Sequence, residues 1–299
     1  MKYPVTTPPP PPEWMKVRLK MDAGDAPSTA ARVKDAVHGA RLNTVCEEAS
    51  CPNLGHCWNQ GTATFMIMGE NCTRRCGFCD ISTARPSLLD PKEPEKTARA
   101  VQELGLKHVV ITSVDRDDLK DCGSRHFAKV IRQVREQNPR TTVEVLIPDF
   151  KGVTEHLQRI ADERPDILNH NVETVPALFR TICPQSNYQT SIEVIRWGSR
   201  AGLLTKSGLI LGLGESITEV REVIADLAEA GCGMLTIGQY LQPSPEHAPL
   251  KSYVALEVFD ELKEYALGLG FRHVEAGPLV RSSYHAGDNL DQLLRPPGA

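Results

Sequence analysis

The sequence of 299 residues is 40% hydrophobic and 24% charged, long enough to bury one large core or two small ones. That composition excludes collagenous, disordered and disulfide-miniprotein classes. Its 34 Lys and Arg against 38 Asp and Glu leave a formal charge of −4, with no positive excess to hold a phosphate backbone, so no nucleic-acid partner is expected. No run approaches the roughly 18 apolar residues of a membrane span. Met1 to Trp14 is proline-rich where a signal peptide needs an apolar stretch, so the expectation is a cytoplasmic protein with no membrane contact.

In chain order, Pro4 and the five prolines Pro8 to Pro12 cannot donate backbone hydrogen bonds and favour extended geometry, which predicts a disordered arm over residues 1–13. Residues 14–61 read as an N-terminal extension, basic at first and mildly helical over Ala30 to Val37, leading into a group of cysteines. From residue 62 short β-rich runs alternate with amphipathic windows. Strands are predicted at Thr62–Met68, His108–Thr112, Thr142–Ile147, Asp166–Val172, Thr205–Leu211 and Met234–Tyr240. Between them Phe127, Val130, Ile131 and Val134, and again Val220, Val223, Ile224 and Leu227, repeat as one buried helical stripe. Six strand–helix units in series predict an α/β fold, an incomplete (β/α)6 TIM-type barrel over residues 62–276. A weak strand, Arg272 to Ala276, precedes a polar tail over residues 277–299.

In such barrels reactive groups gather at the carboxyl ends of the strands. Those loops carry Cys72, Cys76 and Cys79, then Ser113 and Asp115, then Asp149, then Asn169, Asn171 and Glu173, then Gly212, Gly214 and Glu215, then Gln239 and Tyr240. Nine cysteines in a reducing compartment are thiols, ligands or catalysts. Six of them, Cys46, Cys51, Cys57, Cys72, Cys76 and Cys79, are clustered, while Cys122, Cys183 and Cys232 are scattered.

Cys72-x3-Cys76-x2-Cys79 offers three thiolates on one loop, too few to close a tetrahedral zinc site or to ligate all four irons of a cubane, so one metal position stays open. Cx3Cx2C is the spacing of the radical S-adenosylmethionine (SAM) superfamily. There the open iron chelates the methionine moiety, and an electron cleaves the sulfonium to release a 5′-deoxyadenosyl radical. The competing reading is a zinc loop completed by a distant His such as His56. Cys46-x4-Cys51-x5-Cys57 is a second triplet, again without a fourth cysteine; the scattered thiols and the serines of Arg281-Ser282-Ser283-Tyr284 are all candidates to complete it.

With both triplets read, the chain from Trp14 to Ala286 resembles the lipoyl synthase family. The stretches that carry the likeness include Glu47 to Asn53, Cys72 to Asp80, Thr112 to Leu119, Asn169 to Thr174, Gly212 to Glu215, Tyr240 to Ser244 and Arg281 to Ala286. The resemblance implies a sulfurtransferase with two 4Fe-4S clusters and SAM, which inserts sulfur at C6 and C8 of an octanoyl chain amide-linked to a lysine of a lipoyl carrier domain. It implies an auxiliary cluster held by Cys46, Cys51, Cys57 and Ser283 and broken down as the sulfur source, with N- and C-terminal extensions capping the open face of the barrel. The implied partners are an octanoylated carrier domain of the dehydrogenase E2 or glycine cleavage H protein type and an electron donor of the ferredoxin or flavodoxin type.

Ser113, Asn171, Glu173 and Lys206, at or near strand ends, are candidates to grip the ribose, amino and carboxylate groups of SAM. Gly212-x-Gly214 lacks the dinucleotide fingerprint and is not an NAD site. Two positions depart from the family pattern: Cys122 stands where a glycine is usual and Cys183 where an arginine is common, and a buried thiol is expected at each. A biotin synthase-like enzyme would share the Cx3Cx2C loop without the first triplet, and an RNA methylthiotransferase would need a basic domain that charge and length deny. A zinc-stabilised binding protein is the alternative outside enzymes.

Overall fold

Apolar runs alternating with amphipathic windows fold as a parallel sheet wrapped by helices; the computed structural model describes residues 3–4, 7–16, 29–49, 51, 53–59 and 64–283. Strands β1 (Asn43–Thr44), β2 (Thr64–Ile67), β3 (His108–Ser113), β4 (Thr142–Leu146), β5 (Ile167–Asn169), β6 (Leu204–Leu211), β7 (Met234–Gln239) and β8 (His273–Gly277) lie side by side in sequence order. From β2 to β8 every pair is parallel, and β1 adds antiparallel to the free side of β2. The sheet therefore stays open between β1 and β8, an incomplete barrel. Helices cover it because parallel neighbours need crossovers. They are α1 (Thr29–Ala40), α2 (Val45–Glu48), α3 (Leu54–Asn59), α4 (Glu93–Leu104), α5 (Ser124–Gln137), α6 (Thr154–Asp162), α7 (Pro176–Ile182), α8 (Tyr188–Arg200), α9 (Ile217–Glu229) and α10 (Leu256–Gly268).

Strands β2 and β7 are buried at every position, as a sheet covered on both faces requires. The predicted stripes of α5 and α9 are fully buried, and Ser216 and Glu219 close a reciprocal capping box at the start of α9. The six predicted strands are present, and the weak seventh is a full member: β8 pairs with β7 from His273 opposite Met234 to Gly277 opposite Gly238. The fourth predicted strand is shorter than its apolar run: β5 ends at Asn169, and the chain meets β6 again only at Glu173, which takes a positive φ of 70° and bridges Leu209.

Lys206 is placed differently from the expectation. Because β6 begins at Leu204, Lys206 lies near the amino end of the strand, inside the barrel, and its Nζ reaches Glu144 Oε1 at 2.9 Å. His108 Nε2 stands 3.4 Å from the same carboxylate, and Asn169 donates to it at 3.2 Å. Burial pushes the Glu144 carboxyl up, but Lys206 and His108 outweigh it and hold its pKa at about 2. The pair thus stabilises the fold fully above the ordinary carboxylate pKa of 4.5, and that contribution is lost as pH falls towards 2. Lys206 is a structural counter-ion and does not reach the cavity described below. Lys206→Met, which strands Glu144 as a buried charge, should cost about 3–5 kcal/mol in urea unfolding, and adding Glu144→Gln should recover much of it. A single-variant loss below about 1 kcal/mol would place the pair in solvent-like surroundings.

Candidate active site

The carboxyl ends of the strands open into one cavity of about 1280 Å³. Cys72, Cys76 and Cys79 stand on the loop after β2, and the neighbouring loops hold that loop by its backbone. Cys72 N–H donates to Ser82 O at 2.8 Å, Thr73 N–H to Asp115 O at 3.1 Å, and Gly77 N–H to Ile182 O at 2.7 Å. On the far side Ala248 N–H donates to Gly77 O at 2.7 Å, and the His247 ring meets Cys79 O at 3.1 Å.

Arg74, between the cysteines, ties three loops together. Its guanidinium donates to Asp117 at 2.8 and 3.0 Å and to Asp149 at 2.9 and 2.7 Å, and stands 3.3 Å from Asp115. This is the paired-donor geometry that a planar fork makes and an ammonium cannot. Burial would loosen its proton, but Asp117 and Asp149 reverse that and raise its pKa. Asp115, half-buried beside these carboxylates, is pushed up to about 6 by desolvation although Arg74 opposes the shift.

Ser113, Asn171 and Glu173 line the same cavity. Ser113 Oγ and Asn171 Oδ1 are buried without a hydrogen-bond partner among the described residues, an arrangement that costs free energy unless a bound group satisfies it. Glu173 is fixed by its N–H to Gly208 O and by Ile210 N–H to its own carbonyl, both at 2.9 Å. Burial pushes its carboxyl up to about 7, with a hydrogen bond from Asn171 opposing. A hydroxyl, an amide oxygen and a poised carboxyl thus face one space.

The first triplet is brought to this cavity from outside the barrel. Cys46 lies in α2, whose start is capped by Thr44 Oγ1 accepting from Glu47 N–H. Cys51 N–H returns to Cys46 O at 3.1 Å, and Cys57 stands on α3. The C-terminal segment meets them: Asn53 Nδ2 donates to Leu279 O at 2.6 Å across 226 residues of sequence. Gly238 on β7 permits that path, since a Cβ there would stand 2.2 Å from Val280 O. Arg281, Ser282 and Ser283 therefore line the cavity together with Cys46, Cys51 and Cys57. Arg281 is close enough for the Cys51 sulfur to bear on its charge. Residues 284–286 of the matching motif lie outside the described residues.

Burial holds these thiols protonated: Cys57 and Cys79 are pushed to about 12 and Cys72 to about 11. Loading metal must displace those protons. Among the described residues no three His, Cys, Asp or Glu side chains converge as ligands of a single ion. A polynuclear cluster instead spreads its thiolates over separate corners, which suits three cysteines within an eight-residue stretch of loop. The donor chemistry fits an open iron–sulfur cluster with a polar ligand beside it.

Of the scattered thiols, Cys122 and Cys232 are buried away from the cavity, while Cys183 is buried and lines it beside Cys76. Gly212 and Gly214 do not line it either; the Glu215 carboxylate accepts from the N–H groups of Gly212 and Leu213. Sequence reasoning missed Arg74, His247 and Tyr3, and it expected Cys183 to be a buried thiol, which it is, without placing it at this cavity. Tyr3, on the proline-rich arm, donates its hydroxyl to Thr181 O at 2.7 Å and lies against Gly77, where a Cβ would stand 2.0 Å from its oxygen.

Comparisons with known proteins give the family and the fold. The radical SAM superfamily matches residues 66–227. A lipoyl synthase of Leptospira interrogans is 50% identical over 280 residues, covering 93% of this chain and 92% of its own. One from Aeromonas salmonicida is 51% identical over 278 residues, covering 92% and 84%. Among solved structures, methylornithine synthase shares the fold at a TM-score of 0.54 and 14% identity, over 83% of this chain and 77% of its own. Streptococcus suis SuiB bound to S-adenosylmethionine does so at 0.59 and 12%, over 79% and 59%.

Proposed function

Because the chain belongs to the lipoyl synthase family of the radical SAM superfamily, we propose that its two cysteine triplets divide the reaction, Cys72, Cys76 and Cys79 serving SAM cleavage and Cys46, Cys51, Cys57 and Ser283 serving sulfur transfer. The enzyme is a sulfurtransferase that places two sulfur atoms on an octanoyl chain carried by a protein. Its target carbons, C6 and C8, are unactivated, and no side-chain base removes such hydrogens at neutral pH. A 4Fe-4S cluster with SAM supplies the carbon-radical chemistry when bound.

The observation that carries the reading is the meeting of both triplets and the serine tail in one cavity. This chain's residues then have separable tasks. Arg74 and its aspartates hold the Cys72–Cys79 loop rigid at the strand ends. Ser113, Asn171 and Glu173 offer their unpaired or poised polar atoms to the amino group and ribose of SAM. Asn53 and Gly238 hold the tail along the cavity that Ser283 lines together with the first triplet, which supports Ser283 as its fourth ligand. A serine oxygen is a harder ligand than thiolate and is mismatched to iron already held by three sulfurs, which suits a site that must release its metal and sulfide. The octanoyl donor is read as a lipoyl carrier domain of the dehydrogenase E2 or glycine cleavage H protein type, and the electron donor as a ferredoxin or flavodoxin type. No described helix is long and apolar enough to cross a membrane, and nine free cysteines suit a reducing cytoplasm.

Ser283→Ala should lose sulfur insertion while still releasing 5′-deoxyadenosine, and Ser283→Cys should hold a cluster that gives up iron less readily. Ser282→Ala is the control, since neighbouring residues point different ways. Full activity in both alanine variants would remove serine from the site. The anaerobically reconstituted chain should carry about eight irons, two cubanes' worth, whereas a colourless, zinc-loaded protein would contradict the reading.

Glu173 predicts a pH dependence. A group poised at about 7 is mostly protonated at pH 6 and mostly ionised at pH 8, and a cationic ligand favours the ionised form. SAM affinity should therefore rise about tenfold between pH 6 and 8 with release of a proton, visible by calorimetry in buffers of different ionisation enthalpy. Glu173→Gln should flatten that rise. An unchanged slope in the variant would assign the dependence to another group.

A further inference from the structure

No step assigned above uses the N-terminal arm, yet Tyr3 lines the cavity. It stands on Gly77, between Cys76 and Phe78 in the cysteine loop. Gly77 has no positive φ, so its backbone is open to any residue. What excludes a side chain there is Tyr3, whose Oη, Cζ and Cε2 would stand 2.0, 2.7 and 3.2 Å from a Cβ. The phenol is also fixed to α7: its hydroxyl donates to Thr181 O at 2.7 Å, next to the Ile182 carbonyl that takes Gly77 N–H at 2.7 Å. Tyr3 therefore bridges the seam where the cysteine loop meets α7, and it packs with Phe78 against the buried cluster that includes Phe179, Ile182 and Tyr240. The described arm lies along the protein. Pro9 and Pro12 are half-buried while Pro8, Pro10 and Pro11 are exposed, the three-residue period of a polyproline helix with one face turned inward. Trp14 meets Tyr253 edge to face at 5.7 Å, in the connection from β7 to α10 whose Gln242, Pro243 and His247 also line the cavity. A pre-extended proline run loses little freedom on docking, so one ring and one hydroxyl can seat its end.

We propose that Tyr3 seals the radical cavity along the seam between the cysteine loop and α7, keeping dissolved hydrogen-atom donors, small thiols above all, from the radicals formed inside. This role rests on the reading of the cavity as the place where SAM is cleaved. When one electron from the reductant splits the C5′–S bond, methionine leaves and the carbon radical takes a hydrogen atom from the first suitable C–H or S–H bond it meets. Taken from the octanoyl chain, that atom starts sulfur insertion. Taken from a thiol, it ends the turnover as 5′-deoxyadenosine, and the sulfur radicals left behind pair as a disulfide. Water, with its strong O–H bond, does not give one up. Closing an active site against such side reactions is a general use of a well-packed wall.

The experiment incubates the reconstituted full chain with SAM, a strong reductant and an octanoylated carrier domain in D₂O, adds dithiothreitol in steps, and reads deuterium in 5′-deoxyadenosine by mass. Hydrogen from the octanoyl chain leaves the product unlabelled, whereas an exchanged S–D bond labels it. In the wild type the label should stay near baseline at every thiol concentration. Tyr3→Ala should bind the same iron yet show a label that climbs with thiol, to about threefold above the wild type, with thiolated product per 5′-deoxyadenosine falling by the same factor, as loss of one exposed hydrogen bond and its ring contact implies. Tyr3→Phe keeps the ring and should leak less than Tyr3→Ala. Gly77→Ala, whose Cβ takes the place of the phenol oxygen, should leak as Tyr3→Ala does, and the double variant should leak no more than either single one, because both remove the same contact. A label in Tyr3→Ala equal to the wild type or independent of thiol, or leaks that add in the double variant, would overturn the inference. Labelled 5′-deoxyadenosine from Cys76→Ala would instead remove the reading of the site beneath it.

Discussion

Cys76→Ala is expected to abolish 5′-deoxyadenosine release and to lower the iron content by about half, because three thiolates are the whole protein ligand set of an open cubane. The loop offers no replacement in ligating position. Cys183 is the nearest spare thiol, but its backbone belongs to the α7–α8 connection and is fixed by hydrogen bonds to Phe179 and Ser186. The fold should survive, since the loop is held by Arg74, Asp117 and Asp149 and by the backbone of Ile182 and Ala248, none of which needs the Cys76 sulfur. Circular dichroism and the first triplet's remaining iron serve as internal controls. Release at the wild-type rate under strong reduction would show that SAM is cleaved elsewhere.

Cys51→Ala should have the opposite profile: 5′-deoxyadenosine still forms in the presence of octanoyl substrate, but thiolated product falls below detection. Cys51 lies in the N-terminal extension, which is held to the barrel by α1 packed on α4 and by the β1–β2 pairing and to the tail by Asn53 and Leu279, so that the Cys72–Cys79 loop and the Ser113, Asn171 and Glu173 wall do not depend on the Cys51 side chain. Losing a ligand there removes the sulfur source without touching radical generation. The two single variants thus separate the half-reactions. Thiolated product in normal yield from Cys51→Ala would detach the first triplet from sulfur transfer.

The barrel was legible because a parallel sheet covered on both faces leaves unbroken apolar runs, as in β2 and β7, and because its helices keep a strict stripe, as in α5 and α9. Strand β1 was not, because two residues of antiparallel pairing carry no period. Site residues were legible where they lie close together in sequence, as in the two cysteine triplets, both of which line the cavity. They were hidden where distant segments converge: Arg74 finds its aspartates after β3 and β4, Cys183 reaches the cavity of Cys76 from more than a hundred residues away, and Tyr3 returns from the start of the chain. Lys206 was misplaced by the same limit. Its strand was read to within one residue of its start, which already put Lys206 at the amino end; what the sequence did not state is that Glu144, on a strand 62 residues away, takes its ammonium inside the barrel.

The central claim, that one cavity joins radical generation to sulfur donation on a protein-bound octanoyl chain, is tested most directly by weighing the substrate. An octanoylated lipoyl carrier domain, incubated anaerobically with the reconstituted enzyme, SAM and a strong reductant, should gain the mass of two sulfurs less two hydrogens after oxidation, with two 5′-deoxyadenosines formed per domain. A domain of unchanged mass, recovered from an enzyme that cleaves SAM, would contradict the account.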